Sequence, residues 1–186
     1  MTRLLARLSR RFRRRLLPVL LAGGLVAPVG ADTAPVSEHA VKAVLFYKLP
    51  QFVYLPSGAR GRAAGLCGLG DHPVIEALEK LPQTATEGRG ATYQSVDGIN
   101  AGLRCDFLFI ARDEAGNLDT LLHRLRDTSV VTVSDIPGFA RAGGMVELAP
   151  NPERAGVLIL INRKAAQRQG IEFNAQLLRL ARIVEP

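Results

Sequence analysis

The sequence predicts an α/β fold, a single domain with a mixed β-sheet flanked by helices, and three features carry that expectation. Short apolar runs of strand length alternate with stretches of helical spacing from residue 37 to about residue 133. A two-strand unit with a proline-rich turn follows, and helical segments close the chain. Residues 32–186 remain once a basic leader is set aside, enough for one core without metal or many disulfides. Alternation favours parallel pairing, whereas a two-strand unit favours antiparallel pairing, so the sheet is expected to be mixed.

The leader spans residues 1–31. Seven arginines (Arg3, Arg7, Arg10, Arg11, Arg13, Arg14 and Arg15) form a cationic start with no acid among them. Leu16 to Val29 is apolar, and Val29-Gly30-Ala31 offers the small residues that a signal peptidase inspects. Cleavage is expected between Ala31 and Asp32. Fourteen apolar residues broken by Pro18, Gly23, Gly24 and Pro28 are too few to cross a bilayer, which takes about 20. The chain beyond Asp32 is therefore expected to be exported, to keep no membrane span, and to reside in a bacterial periplasm.

Ser37 can cap a helix in which Val41, Val44, Leu45, Leu49, Phe52 and Val53 follow helical spacing, with Pro50 kinking or breaking it. Ala63 to Leu69 reads as a buried strand that leads through Gly70-Asp71-His72 into a helix with Pro73 near its start. Gly88 to Val96 is a second strand and Gly98-Ile99-Asn100 a turn. Asp106 to Ala111 is a strongly apolar strand, Leu118, Leu121, Leu122 and Leu125 mark a helix, and Val130 to Val133 is another strand. Met145 to Ala149 and Val157 to Ile161 form the two-strand unit. Arg163 to Gln169 is a short helix, and a last helix is expected from the cap Asn174 through Val184.

Charge narrows the function. Without the seven leader arginines, 17 basic residues face 17 acidic ones, so the high isoelectric point belongs to the leader and a basic nucleic-acid-binding domain is disfavoured. Cys67 and Cys105 are the only cysteines. In an oxidising compartment an even count suggests a bridge, with two buried thiols as the alternative. A zinc site needs about four ligands, and nothing beside either cysteine supplies them. No metal or cofactor is expected.

The search for catalysis is nearly empty. There is no Gly-x-Ser-x-Gly elbow, and His39, His72 and His123 lack metal-ligand spacing. Gly68-Leu69-Gly70 follows a strand, but the third glycine of a dinucleotide fingerprint is replaced by Pro73. Those glycines read as tight-turn residues, and Gly143-Gly144 as a backbone device permitting positive φ before Met145. Asn162, at a strand end, can tie down the start of the following helix.

Four stretches carry a resemblance. Val41-Lys42-Ala43-Val44-Leu45-Phe46-Tyr47-Lys48, through Phe52 to Pro56, is the first, and Leu66-Cys67-Gly68-Leu69-Gly70 with Cys105-Asp106-Phe107-Leu108-Phe109-Ile110 the second. The third is Val131-Thr132-Val133-Ser134-Asp135 with Phe139 and Gly143-Gly144-Met145. The fourth is Ile161-Asn162-Arg163-Lys164-Ala165-Ala166 with Gly170 and Leu177-Leu178-Arg179-Leu180-Ala181. From about Val36 to Glu185 the chain resembles the YfiR family of bacterial periplasmic proteins. It departs in having Leu55 before Pro56, where the family usually has Trp, and Pro50 in the opening helix.

The resemblance implies regulation rather than catalysis. Proteins of this family bind the sensory domain of an inner-membrane diguanylate cyclase and hold it inactive, and an outer-membrane lipoprotein can sequester them. A kinase in place of the cyclase, and a homodimer of the chain, fit the same implication. Candidate contact residues are Phe46, Phe52, Phe139 and Met145, which place apolar side chains beside turns. Two other classes stay open. A periplasmic binding protein for a small solute or cell-wall fragment would show a concave pocket with a few convergent polar groups. A hydrolase would show a nucleophile and base within hydrogen-bond reach.

Overall fold

Ser37 opens the first helix, α1 (Glu38–Lys48): its hydroxyl accepts from the Ala40 amide at 3.1 Å, satisfying one of the amides that a helix start leaves without a partner. Pro50 stops the α-helix, and residues Leu49–Phe52 continue as a 3₁₀ turn. The computed structural model describes residues 37–56, 62–82, 90–153 and 155–185. The leader expected over residues 1–31, with its cleavage point between Ala31 and Asp32, lies outside them.

Beyond α1 the order is β1 (Val53–Tyr54), β2 (Ala64–Leu69), α2 (Pro73–Glu79), β3 (Ala91–Val96), α3 (Ile99–Gly102), β4 (Phe107–Ile110), α4 (Leu118–Leu125) and β5 (Val131–Ser134). It continues with β6 (Val146–Pro150), β7 (Val157–Ile161), α5 (Arg163–Arg168), β8 (Glu172–Phe173), α6 (Ala175–Leu180) and β9 (Arg182–Ile183). Seven strands form one sheet in the order β3-β2-β4-β5-β6-β7-β9, and β1 pairs with β8 in a separate two-stranded ribbon. From β3 to β6 every neighbouring pair is parallel; β6 and β7 are antiparallel, and β9 lies parallel to β7. The fold is α/β with a mixed sheet, as the sequence predicts.

The two faces of the sheet divide the core according to the two-residue period of a strand. Leu66, Phe107, Phe109, Val131 and Val133 pack with Ala43, Phe46, Val74, Ile75, Leu78 and Leu177 on one face. Leu69, Leu108 and Ile110 pack with Leu121, Leu125, Ile136 and Phe139 on the other. Helices α1, α2 and α6 thus cover one face, and α4 the opposite one.

Three local expectations change. Residues 98–100 do not form a simple turn; Gly98 leads into the short helix α3. The last helix ends at Leu180 rather than running through Val184, because Arg182 and Ile183 pair with Leu160 and Ile161. Gly68 sits inside β2 rather than at a turn, whereas Gly70 does turn, at φ +101°.

Candidate functional site

In an open α/β sheet, ligands ordinarily enter where successive connections leave toward opposite sides of the sheet, at the carboxyl ends of the strands. Here that point lies between β2 and β4: β2 connects through α2 to β3 on one side, and β4 through α4 to β5 on the other. The chain fills this crevice itself. Asp113 Oδ2 accepts from the Asp71 amide at 2.8 Å. A Cβ placed on Gly70 would come within 2.6 Å of Asp113 Oδ1. Beside it, Lys42 of α1 reaches down to the end of β5, its Nζ 3.0 Å from Asp135 Oδ2 and 2.7 Å from Glu38 Oε1. Lys42 and Asp135 are both only 1% exposed. Arg112 Nη2 donates to the Asp135 carbonyl at 2.9 Å and lies 3.4 Å from Oδ2. Oδ1 of Asp135 has no hydrogen bond among the described residues. Glu38 remains beside Lys42 and Arg112 beside Asp135 if the other member of the pair is removed, so the loss should fall below the roughly 3–5 kcal/mol of a buried charge left with no partner.

The glycine-containing loop between β5 and β6 is anchored by polar side chains from three consecutive strands. Thr132 Oγ1 of β5 accepts from the Met145 amide at 3.0 Å. Both carboxylate oxygens of Glu147 in β6 accept amides of the loop, from Gly138 at 3.0 Å and Ala140 at 3.1 Å. Asn162, just after β7, donates to the Ala140 carbonyl at 2.8 Å and accepts from the Ala165 amide at 2.9 Å, which makes it the cap of α5. All three side chains are buried, so each polar group that leaves water finds a partner. Gly143 takes φ +116°. Gly144 does not need positive φ; a Cβ there would overlap the Phe139 ring.

This anchoring corrects the contact residues expected from sequence. Phe46 and Phe139 are wholly buried and Met145 nearly so; they are core pegs rather than a docking face, and the turn beside Phe139 and Met145 is tied down rather than loose. Phe52 alone of the four is part-exposed. It and the buried Phe46 line an apolar cleft of about 120 Å³ between α1, the 3₁₀ turn and α6, with Leu45, Leu49, Leu177 and Leu180 as walls and Val146 and Leu148 beneath. Leu180 is 70% exposed, and Val44, Tyr54 and Ile183 are further exposed apolar residues. The sequence places Leu180 on the last helix, and its exposure follows from no element covering that side of α6 among the described residues.

Cys67 and Cys105 are joined in a disulfide with Cα atoms 6.1 Å apart, binding β2 to the segment entering β4. Asp106, the next residue, accepts from the Gly65 amide at 2.7 Å and from Arg62 at 2.8 and 2.6 Å, and this bidentate contact raises the pKa of the Arg62 guanidinium above its ordinary value.

A second concavity, of about 380 Å³, lies on the α4 face. Leu122, Leu125 and Arg126 form one wall, Arg168 and Gln169 at the end of α5 the other, with Thr132 and Gly143 between them. The sequence gives no hint of it, because its walls come from segments some forty residues apart. Among the described residues no group of three or more His, Cys, Asp and Glu could hold a metal ion, and no helix is long and apolar enough to cross a membrane.

A family model described as YfiR/HmsC-like matches residues 39–182. Among curated proteins, no sequence matches. Two solved structures share the fold at 12% identity: an ABC domain in complex with L-Trp from Streptococcus pneumoniae (TM-score 0.51, 79% of this chain covered) and a conserved domain protein from Vibrio cholerae (TM-score 0.54, 82% covered). This chain spans 60% of the length of each.

Proposed function

The chain belongs to the YfiR/HmsC-like family, and from that membership we propose that it is a periplasmic repressor of an inner-membrane diguanylate cyclase. The family match across residues 39–182 carries the reading. An exported leader would deliver the chain to the compartment that the cyclase's sensory domain faces. From there its influence can pass only as a difference in affinity between two states of the membrane-spanning partner. Moving such an equilibrium from 1:99 to 99:1 takes about a 10⁴-fold difference, or about 5.5 kcal/mol. Burying two or three apolar side chains in one state only, at about 1.5–3 kcal/mol each, is of that size.

The cleft between α1 and α6 is the surface that suits the task. Its walls are apolar, Leu180 stands at its edge, and Lys48 is the one charged residue among the described lining residues. Sequestration by an outer-membrane lipoprotein would use the same or an adjoining surface and relieve the repression.

Deleting the gene should raise cellular cyclic-di-GMP, and a copy lacking residues 2–31 should fail to complement because it stays in the wrong compartment. Leu180→Asp, placed on an exposed side chain, should leave the melting temperature unchanged yet weaken capture of the membrane partner by about 10- to 100-fold. Unchanged cyclic-di-GMP in the deletion strain, with no membrane protein recovered by periplasmic crosslinking, would end this reading.

A further inference from the structure

We propose that the cleft between α1 and α6 binds a medium-chain fatty-acid anion, with methylenes in the cleft and the carboxylate at its mouth beside Lys48. This goes beyond the repressor reading, since it gives that surface a small-molecule ligand of its own. Where both hold, ligand and membrane partner would compete for one surface.

The surfaces such a ligand would meet are open. Leu45, Lys48, Phe52 and Ile159 are part-exposed and Leu180 is exposed, while the buried residues beneath them only close the floor. At about 120 Å³ the space holds about four groups the size of a water molecule or a methylene. That is well below the roughly 300 Å³ at which sites for bulkier ligands begin, so a single unbranched chain suits it better than a ring system or a sugar. Apart from Lys48, the described lining residues are all apolar. A hydrocarbon chain lying there strips no polar group of its water. Lys48 selects the head. A lysine can lay its stem along an apolar wall and keep its ammonium in water, which suits a charge at the mouth rather than in the floor. It forms no ion pair among the described residues, unlike Lys42 and Lys164, and no acid is among the described lining residues. An anionic head is therefore favoured over a neutral or cationic one. Each buried methylene is worth about a fourfold gain in affinity, and an exposed ion pair up to about fivefold. Four methylenes and the charge together correspond to a dissociation constant of about 1 mM.

NMR titration of the purified exported chain, labelled with nitrogen-15, would use butanoate, hexanoate, octanoate and decanoate below micelle formation, with hexan-1-ol as the neutral counterpart. Amide shifts should centre on Leu45, Lys48, Phe52 and Leu180. Affinity should climb about fourfold per methylene from butanoate to hexanoate and level off by decanoate, because the cleft is then full. Adsorption onto apolar surface in general would go on climbing. Hexan-1-ol should bind about two- to fivefold more weakly than hexanoate, and Lys48→Met, which keeps the stem and removes the charge, should abolish that difference. Leu180→Ser, placed on an exposed side chain, should keep the melting temperature and weaken every member of the series by roughly fivefold or more. The idea is overturned if hexanoate does not bind at about 20 mM, if the climb continues undiminished through decanoate, or if either variant binds hexanoate as the wild type does. None of these readouts involves the cyclase, so failure here and failure of the repressor reading are distinguishable.

Discussion

Gly68 shows how closely single residues are fitted. A Cβ at this position would overlap the Tyr93 hydroxyl and approach Ile75 Cδ1 to 2.7 Å. Gly68→Ala should therefore destabilise the domain by about 1–3 kcal/mol, and Tyr93→Phe, which removes the obstructing oxygen, should recover part of the loss in a double-mutant cycle measured by urea unfolding. Additive losses would mean that Ile75 alone sets the constraint. Tyr93 also carries a pH signature. Burial raises its phenol pKa above 10, with the Ser95 hydrogen bond opposing and the charge of Glu79 adding. The folded chain then holds the proton after the unfolded chain has lost it, so this contribution is complete below pH 10 and fades as pH climbs toward the folded value. Tyr93→Phe should flatten the alkaline limb of the stability curve. Asn162 was legible in the sequence as a cap because that role is local. Lys42 and Asp135 were not, since their pairing spans 93 positions and no periodicity reports it. The exposed edge of the α1 and α6 cleft was hidden for a related reason: an apolar stripe looks the same whether or not another element covers it.

Among the elements, β2 and the entry to β4 are held together twice, by the strand ladder and by the disulfide. Closing a loop of sequence separation 38 restricts the unfolded chain by about 4 kcal/mol in the chain-entropy account. Cys67→Ala/Cys105→Ala should lower the melting temperature by roughly 10 °C, and a reductant should do the same to the wild type; an unchanged transition in both would assign the bridge no part in stability. Strands of four or more residues and the helices with clear spacing were legible, from β2 through β7. The two-residue strands β1, β8 and β9 were not, because a pattern of period two needs more than two residues to declare itself. Expecting the last helix to run through Val184 failed on the same ground: Leu177, Leu180 and Val184 fit helical spacing, but pairing with β7 wins the final turn.

Across the whole molecule, the sheet ends on two unlike margins. Most of β3 is polar or half-buried at one side. At the other, β7 reads Val157-Leu158-Ile159-Leu160-Ile161, and among the described residues β9, with the exposed Arg182, pairs with its last two, Leu160 and Ile161. A chain truncated after Leu180 should keep both cores yet lose this cover, and light scattering should show it assembling with itself at concentrations where the full chain stays dispersed; a truncated chain that stays dispersed as well would deny β9 this role. A bare aliphatic strand offers its unpaired amides and carbonyls to any other chain, and its composition is that of an aggregation-prone segment. On that prediction Arg182 and Ile183 are a selvedge at the Leu160–Ile161 end of β7, keeping that stretch of the sheet from catching on its neighbours.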